Sequence, residues 1–184
     1  MRLKKIYIIA LSVVMLGSCN KKLDELLVNP NSPSPDKASA DLYLTEMQLN
    51  FANFFDGASS FGMETTRMIV MYGPTYSNAY SAQSFDGIWS TAYTGVIKHA
   101  DALIPIAESE KKFVNSGMAK TLKAYTLMTL VDIFGDIPST EANLGSDNTN
   151  PAIDKGQDDY AKAVVLLDAA IADFNKTSGG YPGV

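Results

Sequence analysis

The chain has 184 residues, 46% apolar and 19% charged, a balance that suits a packed globule and argues against disorder as the main state. With 15 basic and 20 acidic residues its net charge is -5, so no basic surplus exists to displace phosphate counterions, and a general nucleic-acid binder is excluded. One Cys and one His exclude a disulfide framework, a zinc-finger pattern and a His-dependent nucleophilic triad.

The N-terminus reads as an export signal. Arg2, Lys4 and Lys5 form a positive start, Ile6 to Leu16 are apolar except for Ser12, and Leu16-Gly17-Ser18-Cys19 follows. Eleven residues at about 1.5 Å each give roughly 16 Å of helix, about half of a bilayer core of about 30 Å, too short for a lasting span. Leu-Gly-Ser-Cys resembles the lipobox of bacterial lipoproteins, which implies cleavage before Cys19, a diacylglyceryl group on its thiol and acylation of the new amino terminus. The competing reading is a core Cys beside an uncleaved helix. On the lipoprotein reading residues 1–18 are a signal peptide, and losing Arg2, Lys4 and Lys5 takes the net charge from -5 to -8. Acyl chains at about 0.8 kcal/mol per buried methylene would hold the protein on a membrane.

Residues 19–35 read as a lipidated tether, because Pro30, Pro33 and Pro35 forbid a helix. Lys22 with Asp24-Glu25 resembles the export signal that places Bacteroidetes lipoproteins on the outer face of the outer membrane; an ordinary solvated charge run fits the same residues. Asp36 can cap a helix from about 36 to 54 that carries Ala38, Leu42, Leu44 and Leu49.

Tyr72, Tyr76 and Tyr80 then recur at steps of four among Gly, Pro, Ser, Asn and Gln, and Gly73-Pro74 interrupts any continuous helix. Some of these rings are expected to reach solvent. Aromatic faces match the C–H faces of pyranose rings, while Asn and Gln side chains bond their hydroxyls. Packing of at least two of the three tyrosines is the structural alternative.

Phe85, Ile88, Trp89, Ala92, Tyr93, Val96, Ile97, Ala100 and Leu103 recur at three and four, predicting a helix over 83–109 that Gly95 weakens by up to about 1 kcal/mol. A second helix over 115–134 begins at Asn115 or Ser116 and is stopped by Gly135 and Pro138. A polar stretch from Gly145 to Gly156 precedes a third, over 157–175, with Tyr160, Val164, Leu167, Ile171 and Phe174 on one face. The fold class is therefore all-α, built of antiparallel helix pairs without a convincing strand.

Val131-Asp132-Ile133-Phe134-Gly135-Asp136-Ile137-Pro138 resembles the helix-ending turn of SusD/RagB-family lipoproteins, of the form Asp-x-Phe-or-Tyr-Gly-Asp-x-Pro. Trp89 with Tyr93 is similar to that family's Trp-x-x-x-Tyr helix, and Asp158 to Phe174 to its Tyr-x-x-x-x-x-Leu-Leu-Asp-x-Ala helix. The resemblance implies a tetratricopeptide-like superhelix, with 36–184 the N-terminal part of a longer, truncated SusD-like domain. It further implies a glycan-binding receptor without hydrolytic activity or cofactor, held at the outer membrane by a lipid anchor and partnered by a SusC-type TonB-dependent transporter. Parts of the family suggest a peptide or other nutrient as the alternative ligand. In this family the stretch before the Trp-containing helix helps to form the glycan site, which makes Tyr72, Tyr76, Asn78 and Tyr80 the candidate contacts and leaves Trp89 in the core.

Asp132 and Asp136, four apart at a helix end, invite a glycosidase reading in which one is acid and the other base or nucleophile. The structural reading is preferred: Asp136 accepts backbone N–H bonds in the turn, and Asp132 faces solvent or a cation. The lone His99 beside the apolar stripe, without a second His or ligand-spaced acids, gives no metal site.

Overall fold

The computed structural model describes residues 39–70 and 80–176, and the compact unit Ser39–Val184 is described here by itself. The signal segment, Cys19, the tether and Asp36 lie outside the described residues, as do Tyr72, Tyr76 and Asn78. Helix α1 spans Ala40–Thr65. Its N-cap is Ser39, whose Oγ accepts the Leu42 N–H at 3.3 Å.

The expected end of α1 near residue 54 is corrected to Thr65. Gly57, Ser59, Ser60 and Gly62 look like breakers, and each glycine costs about 1 kcal/mol relative to Ala. Burial outweighs that cost, because Phe54 is inaccessible and Ala58 and Phe61 pack against the core.

The expected helix over 83–109 is one helical run of several kinds. It opens with a 3-10 turn, Ala82–Phe85, continues through α2 (Asp86–Ser90), widens into a π-helical segment at Thr91–Ile97, and closes with α3 (Lys98–Ser109). Gly95 lies against α1, where a Cβ would fall 2.8 Å from Asn50 Cβ. The missing side chain therefore sets the approach of the two helices. The wide turn leaves the Tyr93 carbonyl to accept the Lys98 N–H, and Asn143 Nδ2 also donates to it at 3.2 Å.

Helix α4 spans Phe113–Phe134, two positions ahead of the earlier of its expected starts. Asn115 and Ser116 are buried inside its first turn and use their side chains on other helices, not as caps. Asn115 Nδ2 donates to Asp41 Oδ1 at 2.8 Å, and Ser116 Oγ donates to Asp173 Oδ2 at 2.8 Å. Gly135, with φ of 82°, ends α4 in a backbone region that favours glycine. Helix α5 spans Gly156–Phe174.

Consecutive helices run antiparallel, as their contacts show. Tyr43 and Gly57 of α1 meet His99 and Ile88 respectively. Lys120 and Lys123 of α4 pair with Glu108 and Asp101 of α3. Ser116 and Asp132, at opposite ends of α4, bond Asp173 and Tyr160 at opposite ends of α5. Met47, Phe54, Val96, Leu103, Leu130 and Ile137 fill the core between them. The all-α class holds; among the described residues the sole strand-like feature is an isolated antiparallel bridge between Ile137 and Asp154.

Candidate functional site

Tyr80 is the one candidate ligand contact that falls among the described residues. It is 36% exposed, and its hydroxyl donates to the Glu64 carboxylate at the end of α1. Its ring centroid lies 4.5 Å from that of Phe61, which in turn stacks on Phe85 at 4.5 Å. Phe85 meets Phe134 edge-on at 6.1 Å, and Phe134 meets Trp89 edge-on at 5.0 Å. Trp89 lies 4.8 Å from Tyr93, whose hydroxyl donates to the Pro138 carbonyl at 2.7 Å. A ladder of rings thus leads from an exposed edge at Tyr80 to the buried Tyr93. Trp89 is half-buried and packs against the core, as expected of it. An exposed tyrosine braced from below by two phenylalanines presents a fixed apolar face with a polar rim, the combination a sugar ring uses. Phe61 lies past the expected end of its helix and Phe85 was read only as part of an apolar stripe, so nothing in the sequence joined the two, which come from separate elements.

The acidic pair is engaged within the fold. Asp136 accepts the Gly156 N–H at 2.9 Å and the Lys155 ammonium at 2.7 Å, so it caps the start of α5 from the preceding turn. The Lys155 bond first, then that backbone N–H, hold its carboxyl below the usual range. Asp132 accepts the Tyr160 hydroxyl, and this bond raises the tyrosine's pKa. Both carboxylates bind α5 to the end of α4, which matches the structural reading of Asp136, while Asp132 faces solvent as expected and accepts the Tyr160 hydroxyl there.

A second polar cluster went unread in the sequence because its members come from the 135–155 loop and α5. Asp154 accepts the backbone N–H groups of Ser139 and Thr140, each at 2.8 Å, and the Thr140 hydroxyl at 2.6 Å. Burial alone would raise the Asp154 pKa; these bonds and Lys162 outweigh it and hold the carboxyl far below its ordinary value. Lys162 Nζ lies 2.6 Å from Ser139 Oγ, a spacing that could suggest a Ser-Lys dyad. Desolvation would lower the lysine pKa, but bonds to Asp159 and Asp154 overcome it and raise it instead. Lys162 is thus a charged donor and lacks the lone pair a general base needs.

His99 Nδ1 lies 2.7 Å from the Gly95 carbonyl, and its ring faces Tyr43 at 6.1 Å. Among the described residues no group of three His, Cys, Asp or Glu is arranged to hold a metal, and no helix is long and apolar enough to cross a membrane.

The architecture is that of an all-α scaffold of stacked antiparallel helix pairs. The chain belongs to the SusD-like family, whose model, described as starch-binding and associating with the outer membrane, matches residues 30–183. A SusD/RagB family protein from Bacteroides thetaiotaomicron, known from a crystal structure at 1.75 Å resolution, shares the fold with a TM-score of 0.59. It is 23% identical over 74% of this chain and 30% of its own, so this chain spans less than a third of that protein's length. No curated protein matches the chain.

Proposed function

We propose that this chain is the N-terminal part of a lipid-anchored glycan receptor on the outer face of the outer membrane, one that captures oligosaccharide and hands it to a SusC-type TonB-dependent transporter. The family's description as starch-binding and outer-membrane-associating carries this reading. Tyr80, exposed and braced on Phe61, supplies the surface chemistry, and the preceding Tyr72, Tyr76 and Asn78 would extend it. Cys19 would carry the lipid. A receptor tethered above a transporter gains effective concentration, so modest affinity suffices and ligand passes on without diffusing away.

The receptor needs no hydrolysis, and the partners of Asp132 and Asp136 favour that reading, since both carboxylates serve as struts between α4 and α5. Calorimetry of the intact protein against polysaccharides and against peptides tests the proposal. Saccharide binding is expected; binding to peptides alone would overturn it, and glycoside turnover that disappears in Asp132→Asn or Asp136→Asn would restore the enzymatic reading.

A further inference from the structure

Two cavities meet on the side of α4 that faces the 135–155 loop, and they share Lys123 and Ser139 in their walls. One, of about 350 Å³, is lined by Lys98, Asp101, Thr140 and Asn143 among others. The other, of about 540 Å³, adds Lys162 and the apolar side chains of Leu127 and Val165. Both volumes lie in the range of about 300 to 1,000 Å³ typical of small-molecule sites. Neither includes the aromatic ladder.

Three lysines converge on this cleft in a protein whose net charge is -5. Lys123 is paired with Asp101, and Lys162 with Asp154 and Asp159. Lys98 is exposed and engages no carboxylate among the described residues. Ser139, shared by both cavities, is bonded to the fully buried Asp159, whose Oδ2 is the one buried side-chain oxygen or nitrogen without a partner among the described residues. Asp159 lies behind Ser139 and lines neither cavity, whereas Asp101 and Asp158 line the cleft, so Lys98 is the lining cation without a carboxylate partner among the described residues.

We infer that this cleft binds a carboxylate-bearing sugar, a hexuronic acid residue of an acidic oligosaccharide, with its carboxylate on Lys98 and Lys123. Its ring hydroxyls meet Asp101, Asn143 and the Ser139 and Thr140 hydroxyls, and its apolar C–H face lies toward Leu127 and Val165. A phosphate is a poorer match, because the lining has no arginine to grip one bidentately. The inference rests on the glycan-receptor reading for the ligand being a saccharide, and adds a second subsite with a preference for negative charge.

The test compares a short oligogalacturonate with a neutral malto-oligosaccharide in calorimetry on the full chain. Lys98→Ala removes no side-chain hydrogen bond or ion pair among the described residues. It is expected to weaken oligogalacturonate binding about tenfold, the effect of losing one charge-assisted hydrogen bond, and to leave the malto-oligosaccharide unaffected. Raising the salt concentration should weaken the acidic ligand alone. Lys155→Ala, which removes the same charge outside the cleft, should change neither. Oligogalacturonate binding that is absent, or indifferent to Lys98→Ala, overturns the cleft assignment. Malto-oligosaccharide binding in that case leaves the receptor reading standing, whereas failure of both saccharides overturns both.

Discussion

Removing the carboxylate of Asp173 should uncouple α5 from α4 and strip the protein of part of its acid resistance. Asp173 is inaccessible, and it accepts the Ser116 hydroxyl at 2.8 Å, the Lys176 ammonium at 2.7 Å and the buried Lys120 ammonium at 2.5 Å. Burial pushes its pKa up, yet the bonds from Lys120, Lys176 and Ser116 overcome this and hold it at about 2, against 3.8 for a free carboxyl. At about 1.4 kcal/mol per pKa unit, the ionised form contributes roughly 2 kcal/mol. Because the folded pKa is depressed, that stabilisation is complete above pH 4 and is lost as the pH falls toward 2. Asp173→Ala should cost about 3 to 5 kcal/mol at pH 7, more than the ionisation term, because Lys120 would then stay buried beside Glu108 alone. Urea unfolding followed by circular dichroism at pH 7, 5, 4, 3 and 2 measures both quantities. The gap between wild type and Asp173→Asn should narrow through the lower steps, and Lys120→Met with Asp173→Leu should recover much of the single-variant loss. A gap independent of pH, or an Asp173→Ala variant as stable as wild type at pH 7, would refute this assignment of the pair.

Four further outcomes follow from other parts of the chain. Tyr76→Ala and Tyr80→Ala should each weaken saccharide binding in calorimetry while shifting the melting temperature little, whereas Trp89→Ala should cost about 3 kcal/mol of stability through lost packing; the reverse pattern would place the tryptophan in the site. Gly156→Ala should destabilise by about 1 to 3 kcal/mol in urea melts, because its Cβ would sit 2.8 Å from Val131 Cγ1 and 3.1 Å from the Gly135 carbonyl oxygen. Gly117→Ala should cost less, since the atoms it meets belong to the Phe174 ring, which is 38% exposed and has room to turn aside. Cys19→Ala should abolish labelling by a fatty-acid analogue and leave unprocessed precursor, and continued labelling would refute the lipobox assignment.

The helical runs containing α2 to α5 were legible because apolar residues recur at three and four, which placed their ends within a residue or two. The expected face of α5 is corrected: Val164, Ile171 and Phe174 are exposed, and Asp159, Ala163, Ala170 and Asp173 are the buried side, a face of small and acidic residues that hydrophobicity does not mark. The second half of α1 was not. Its local composition favours a turn, and only Phe54 and Phe61, anchored on residues far along the chain, keep it helical. The π-helical turn left no mark in the sequence either, since its bonds are completed by Asn143 from a loop fifty residues on. Of the candidate site, the exposure of the Tyr80 ring was legible from its spacing and polar neighbours, but its supports were not, because Phe61 lies in α1 and Phe85 in the 3-10 turn beyond. The lysine cleft draws its lining from α3, α4, α5 and the 135–155 loop, so no local pattern could have announced it.

The sole tryptophan of the chain stands one ring from the buried end of the ladder, in contact with Phe134 on one side and Tyr93 on the other. The protein consequently carries its own optical probe. Light absorbed by Tyr80 or Tyr93 has one indole acceptor within the folded helices, so tyrosine-to-tryptophan energy transfer reports the integrity of the ladder directly. A ligand that displaces Tyr80 would disturb Phe61, Phe85 and Phe134 in turn and alter the emission of Trp89, making unlabelled binding measurable by fluorescence in dilute solution or on a membrane.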